Sequence, residues 1–120
     1  MKTFMNYIVE NQLNKDSSLE FFDTRLSGAK KISTQAKDKG GLSLLTHYHF
    51  AAKIKEYKAV EEAIEAGKNE EFFQSKYRKL LEQLKNLNIT QKQFQALSGE
   101  LEVWGEAIVQ LFPRRASWRK

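Results

Sequence analysis

Apolar residues recur at helical spacing along most of the chain, and no stretch alternates in the way that a half-buried strand does. The two clearest stripes lie in the last third: Phe73, Tyr77, Leu80, Leu84 and Leu87, then Phe94, Leu97, Leu101, Trp104, Ile108 and Leu111. Both step by three and four residues, as in helices that pack at a shallow angle. The connection between them is short, and Thr90 with Gln93 matches a capping box. The pattern predicts an antiparallel helical hairpin over about 69–87 and 91–111.

The N-terminal segment carries a weaker pattern. Phe4, Tyr7 and Ile8 form a narrow apolar stripe, which predicts a short amphipathic helix over residues 1–14. The polar run Asn11–Ser18 is interpreted as a linker that leaves this helix detachable from the rest of the chain.

Two longer helices are predicted in the centre of the chain. The first runs to about residue 38, and Gly28 in its interior suggests a kink or a close packing contact, since glycine costs about 1 kcal/mol there. Gly40 and Gly41 end this helix. The second central helix stops at Gly67. Its first half is apolar on most sides, so we expect it to be buried and expect Phe50→Ala or Tyr48→Ala to cost about 3 kcal/mol of stability.

The predicted fold is therefore all-α, a small bundle of about five helices. It divides into a targeting-like helix over residues 1–14, a helical domain over 15–112 and a basic tail over 113–120. A length of 120 residues, with 41% hydrophobic and 29% charged residues, suits one such domain. The absence of cysteine excludes disulfides, thiolate catalysis and cysteine-based zinc sites, and no apolar run reaches the roughly 20 residues that span a bilayer.

The basic character of the chain is concentrated in its tail. Of the formal net charge of +5, four positive charges come from Arg114, Arg115, Arg119 and Lys120, which leaves about +1 for the remainder. Arginines bind phosphates, and Trp118 among them suits stacking on an unpaired base, so these five residues are candidates for polyanion binding. The alternative is a solubilising, frayed terminus.

The chain offers little for catalysis. His47 and His49 lie about 200° apart around a helix, so a regular helix cannot direct both at one metal ion. We expect His47 to be hydrogen-bonded and partly buried, and His49 to lie near the rim of the core. Glycine-rich phosphate loops, nucleophile elbows and His-Glu metal motifs are absent from the sequence. We therefore predict no catalytic, cofactor or metal site, and a protein that is not an enzyme.

The first ten residues carry a more specific pattern: Met-Lys-Thr, an aromatic residue, two variable residues, a second aromatic residue, and then Ile-Val-Glu. This peptide resembles the capsid-targeting peptide of internal head (prohead core) proteins of T-even-type tailed phages. Phe4 and Tyr7 fill the aromatic places, and Ile8 and Glu10 fit the tripeptide after which the prohead protease cuts. The resemblance implies delivery into the prohead and cleavage between Glu10 and Asn11.

A second resemblance covers residues 40–50, which are similar to small uncharacterised proteins of marine myoviruses. This second similarity implies no function. The resemblance of the first ten residues implies a non-enzymatic internal head protein in the virion interior, and the basic tail is then expected to contact packaged DNA. The alternative is a small phage-encoded helical protein that binds and inhibits a host protein in the host cytoplasm. Apolar surface left over on the hairpin favours a homodimer through four-helix packing.

Overall fold

Four helices make up the chain between residues 4 and 112. The computed structural model describes residues 4–41, 43–86 and 88–112, and the side chains of these ranges from residue 15 onward. The helices are α1 (Phe4–Lys39), α2 (Ser43–Glu65), α3 (Glu70–Leu84) and α4 (Gln91–Leu111). The described residues contain no strand, which confirms the all-α class. None of the described helices is both long enough and apolar enough to cross a membrane.

The predicted break in the N-terminal third is wrong. Helix α1 continues for 36 residues, straight through the supposed linker at Asn11–Ser18, so the described residues form four helices rather than five. That segment contains neither glycine nor proline, and its polar side chains lower helix propensity only by tenths of a kcal/mol each, about 0.7 at most. Gly28 also lies within the continuous helix. Apart from the neighbouring backbone of α1 itself, no atom of the described residues comes within 4 Å of the place that its Cβ would occupy, so the expected packing contact is absent from the described part of the chain.

The breaks predicted at glycines are confirmed. Gly40 and Gly41 both adopt positive φ, at 66° and 57°, and end α1 in a conformation that side chains with a Cβ seldom take. After α2, Gly67 has a φ of 71°, and the N–H of Lys68 donates to the carbonyl of Ala63 at 3.0 Å. This pattern is a Schellman motif, which uses carbonyls that the helix end would otherwise leave without a donor.

The predicted C-terminal hairpin is also present, as α3 and α4. At the start of α3, the side chain of Asn69 accepts a hydrogen bond from the N–H of Phe72 at 3.0 Å. At the start of α4, Thr90 and Gln93 form the predicted capping box, with reciprocal hydrogen bonds of 3.1 and 2.8 Å. Both helix starts are therefore stabilised by local side chains.

The helices pack in the spatial order α1, α2, α4, α3. Helix α1 runs antiparallel to α2, with Ser33 beside His47 and Lys15 beside Glu65. Helices α2 and α4 run parallel, since contacts advance together along both: His49 meets Ser98, Glu56 meets Trp104, and Tyr57 meets Glu106. Helix α3 returns antiparallel to α4, with the ring of Phe73 5.5 Å from that of Trp104. The two central helices, α2 and α4, are thus parallel to each other and are not consecutive in the sequence.

The core lies towards the second half of α2, which corrects the prediction for its first half. Its buried α2 residues are Tyr57, Val60, Ala63 and Ile64. The largest fully buried side chains of the described residues are Trp104, Phe22, Phe73, Val60 and Val103. Phe50, in the first half, is only half-buried because α1 and α4 flank that part of α2 without covering it.

Both ends of the described chain lie at the same end of the bundle. Lys15 Nζ donates to the carbonyl of Glu65, the last residue of α2, at 3.2 Å. The eleven helical residues before Lys15 therefore continue past α2, for about 16 Å at 1.5 Å per residue. Helix α4 ends at this end too, where the ring of Phe112 lies 5.6 Å from that of Phe73 near the start of α3. The molecule is elongated, 58 Å by about 29 Å.

Candidate functional site

The two histidines bind different neighbours, as their spacing predicts. His47 faces α1, where its Nδ1 lies 2.8 Å from the hydroxyl of Ser33, a residue that is 5% exposed. His49 faces α4, where its Nε2 lies 2.8 Å from a carboxylate oxygen of Glu102. Among the described residues, no group of three side chains is arranged to hold a metal ion. Each histidine instead links two helices.

His49 has a serine and a glutamate on its two ring nitrogens, an arrangement that superficially matches a hydrolase triad. Its Nδ1 lies 3.1 Å from the hydroxyl of Ser98, opposite the Nε2 that meets Glu102. The hydroxyl of Ser98, however, donates to the carbonyl of Gln95 at 3.0 Å, within helix α4. Backbone N–H groups in a helix interior are already hydrogen-bonded and cannot stabilise an oxyanion. Lys53 also approaches Glu102, at 3.5 Å, so the cluster suits helix pairing rather than acyl transfer.

A second polar cluster joins three helices. The hydroxyl of Tyr57 on α2 donates to Glu106 on α4 at 2.7 Å, and Nε of Arg25 on α1 lies 3.1 Å from the other oxygen of the same carboxylate. Burial raises the pKa of Tyr57, and the hydrogen bond to Glu106 adds to the rise. The tyrosine therefore stays protonated and keeps donating across the physiological range. The two carboxylate oxygens of Glu106 thus connect α4 to α2 and to α1.

An open groove lies beside this cluster, between α1 and α4 and above α2. Its volume is about 570 Å³. Its lining is mixed and comes mainly from α1 and α2: Ser17, Glu20, Phe21, Thr24, Arg25, Gly28, Ala29, Ile32, Phe50, Lys53, Tyr57 and Gln110. The guanidinium of Arg25 lies 5.0 Å from the ring centre of Phe21, and Lys53 Nζ lies 5.0 Å from that of Phe50. The groove is thus lined by both apolar and polar side chains, and its two cations, Arg25 and Lys53, already have carboxylate partners.

A smaller groove of about 330 Å³ lies between α2 and α3. Its apolar surface includes Ala63 and the ring of Phe72. Lys68 Nζ lies 5.3 Å and Lys76 Nζ 5.7 Å from the centre of that ring. Neither lysine forms an ion pair with another described residue. Glu62 also lines this groove, so its apolar surface is bordered by two lysines and one glutamate.

The chain matches no protein-family model, no curated protein and no solved structure. Any inference of its function therefore depends on its own sequence and surfaces.

The predicted targeting residues lie on the part of α1 that extends past α2. The backbone there is helical, while the side chains of Phe4, Tyr7, Ile8 and Glu10 lie outside the described residues. The predicted polyanion-binding residues of the tail also lie outside the described residues: Arg114, Arg115, Trp118, Arg119 and Lys120. Both sets remain predictions, and the structure adds only that the helices leading to them finish at one end of the bundle.

The sequence analysis missed both grooves and the cluster around Glu106. An amphipathic stripe marks the buried face of a helix but does not name the helix that covers it. One signal was present for the larger groove. Gly28 stands in a helix interior, and its cost there is not offset by any packing contact in the described part of the chain.

Proposed function

We propose that this chain is a non-enzymatic internal head protein of a tailed phage, delivered to the prohead by its first ten residues. The observation that carries the proposal is the resemblance of this peptide to capsid-targeting peptides, with Phe4, Tyr7, Ile8 and Glu10 at the matching positions. The position of the peptide supports it, because α1 carries the peptide beyond the end of α2 at Glu65. A helix that extends from a bundle presents its residues to a receptor groove.

Processing at Glu10 would require a change in α1. Proteases cleave chain that is locally unfolded, and residues 4–14 are helical. We infer that binding to the prohead or thermal fraying opens the first turns of α1 before cleavage. The polar residues that follow Glu10, which do not stop the helix, lower the cost of this local unfolding because they are weak helix formers.

The tail provides the proposed contact with packaged DNA. Its four positive charges follow Phe112, at the same end of the bundle as the targeting peptide. A contact of this kind depends strongly on salt, because it releases counterions from the phosphates. We expect the full chain to bind DNA at low salt and a variant lacking residues 113–120 to lose that binding. DNA binding that survives the deletion would exclude the tail as the contact.

Mass spectrometry of virions tests delivery and processing together. We expect purified particles to contain the chain beginning at Asn11, and a phage that carries Glu10→Ala to contain it beginning at Met1. Glu62→Ala, an exposed glutamate on α2, is the matched control and leaves processing unchanged. A chain that occurs only in infected cells, with Met1 in place, would refute the head-protein proposal.

That last outcome would favour the alternative, a small helical protein that binds and inhibits a host protein. The groove between α2 and α3 supports this alternative, because Lys68 and Lys76 border an apolar surface around Phe72. Such a groove suits an acidic amphipathic segment of a partner. The test is capture of a host protein from infected cells. The alternative is supported if capture fails with the double variant Lys68→Glu/Lys76→Glu but persists with Lys79→Glu on the same helix.

A further inference from the structure

Gly28 is the starting point for an interaction surface on α1. It lies in the interior of a long helix, faces the groove between α1 and α4, and has no atom within 4 Å of its missing Cβ. Glycine destabilises a helix interior, and one of its uses is to let another backbone approach closely. No part of the described chain makes that approach. The open space therefore suits a helix from a second molecule.

The surface around Gly28 is apolar enough to gain from being covered. Ile32, one turn further along α1, is 41% exposed. Phe21 and Phe50 are half-buried, and both line the groove. Covering such side chains removes apolar area from water, which is the main favourable contribution to most protein association.

The charges on the outer side of α1 indicate the occupant. Glu20 lines the groove towards one of its ends, and Lys31 directly precedes Ile32, which lines the groove towards the other end. Both are exposed, and neither forms an ion pair with another described residue. Two antiparallel copies of α1 would place each Glu20 opposite the Lys31 of the other copy. These two charges are complementary between antiparallel copies, whereas parallel copies in register would bring like charges together.

We propose that a second copy of this chain occupies the groove, with the two α1 helices antiparallel and in close contact at Gly28. The register follows from the charges. With Glu20 opposite Lys31, Thr24 of each copy faces Ser27 of the other, and Gly28 lies one residue further, about 1.5 Å along the helix axis. Thr24 and Gly28 of the two copies are therefore neighbours. Arg25 lies beside this line, and its charge is already compensated by Glu106 in its own chain.

Disulfide trapping tests the proposed register, since the chain contains no cysteine. Thr24→Cys and Gly28→Cys chains, carrying different tags, are mixed at micromolar concentration and oxidised. We expect covalent dimers that join the two kinds of chain. Thr34→Cys is the control, because Thr34 is exposed but lies about 120° around α1 from Gly28. Cross-linking that is no faster for Thr24→Cys with Gly28→Cys than for Thr34→Cys would overturn the proposal.

Charge reversal provides a second test that does not depend on cysteine chemistry. Each dimer contains two symmetric pairs of Glu20 with Lys31, so we expect Glu20→Lys or Lys31→Glu alone to raise the dissociation constant about tenfold. The double variant Glu20→Lys/Lys31→Glu restores the pairing and should dimerise like the unmodified chain. Sedimentation that shows only monomer for the unmodified chain at several hundred micromolar would refute the proposal, as would a double variant weaker than either single one. Tight binding of a different protein to this surface, with no self-association, would refute it in favour of a foreign partner.

Discussion

Replacing Gly28 and Gly99 with alanine should change stability in opposite directions, although the chemical change is the same. Both glycines lie inside helices, so alanine gains about 1 kcal/mol of helix propensity at either site. At Gly28 the new methyl group meets open space, and we expect the whole gain to appear. For a domain of this size, 1 kcal/mol corresponds to a rise in Tm of about 4 °C.

At Gly99 the same methyl group would overlap the backbone carbonyl of His49 on α2. It would also lie 3.2 Å from Cγ of Lys53, a contact that the flexible lysine side chain can relieve. The carbonyl cannot move alone, because it belongs to the hydrogen-bonded backbone of α2. Separating α2 from α4 to make room costs about 1–3 kcal/mol, as overpacking of a core does. The propensity gain is then cancelled or exceeded, and we expect Gly99→Ala to lower the free energy of unfolding by about 1 kcal/mol.

Urea unfolding followed by circular dichroism at 222 nm measures both variants on one scale. The free energies of unfolding should differ by about 2 kcal/mol, with the unmodified chain between them. Measurements at two chain concentrations separate folding from any association through α1. If Gly99→Ala stabilised the chain as much as Gly28→Ala does, the close approach of α2 and α4 would be wrong.

Three further changes test other parts of the structure. Tyr57→Phe removes the hydrogen bond to Glu106 but keeps the ring, and should cost about 1 kcal/mol in urea unfolding; no change would mean that water replaces the bond. Phe22→Ala empties a fully buried site and should cost about 3–5 kcal/mol; a cost below 1 kcal/mol would place the core elsewhere. Burial first, and then the neighbouring Glu56, raise the pKa of Glu100 above its ordinary 4.5. The folded chain therefore holds the carboxyl proton of Glu100 more tightly than the unfolded chain does. As a result, the free energy of unfolding falls as pH rises above 4.5 and through the folded pKa. Glu100→Gln should stabilise the chain at pH 7 and lose that advantage below pH 4.5, whereas an equal gain at both pH values would refute the assignment.

The sequence predicted features whose cause is local. The capping box at Thr90 and Gln93 depends on four consecutive residues, and the turn at Gly40 and Gly41 depends on the conformations open to glycine. The opposite directions of the two histidines follow from helix geometry alone. The linker prediction for Asn11–Ser18 is wrong because polar composition alone does not break a helix, and a segment that lacks glycine and proline continues as helix at small cost.

The features that the sequence did not predict arise from contacts between distant segments. The apolar stripe of α4 does not predict that this helix packs parallel to α2, because an apolar face can pack against any other apolar face. The exposure of Phe50 depends on the same packing, because its local pattern is apolar and only the spacing of α1 and α4 leaves it half-covered. The sequence alone does not say whether Gly99 is exposed or in close contact with another helix, and the nearby carbonyl of His49 shows that it is in close contact.

The direction of the helices connects the two proposals. Within one chain, α1 and α4 bring the targeting peptide and the start of the tail to the same end of a 58 Å molecule. In the proposed dimer the two α1 helices are antiparallel, so these ends lie on opposite sides of the assembly. One side could then bind the prohead while the other remains open to DNA, which a monomer with both segments at one end cannot arrange. The charge-reversal variant Glu20→Lys, whose dimer is expected to be about tenfold weaker, should therefore be under-represented in virions. Virions that hold it in the normal amount would mean that delivery needs only the peptide and not the two-sided dimer.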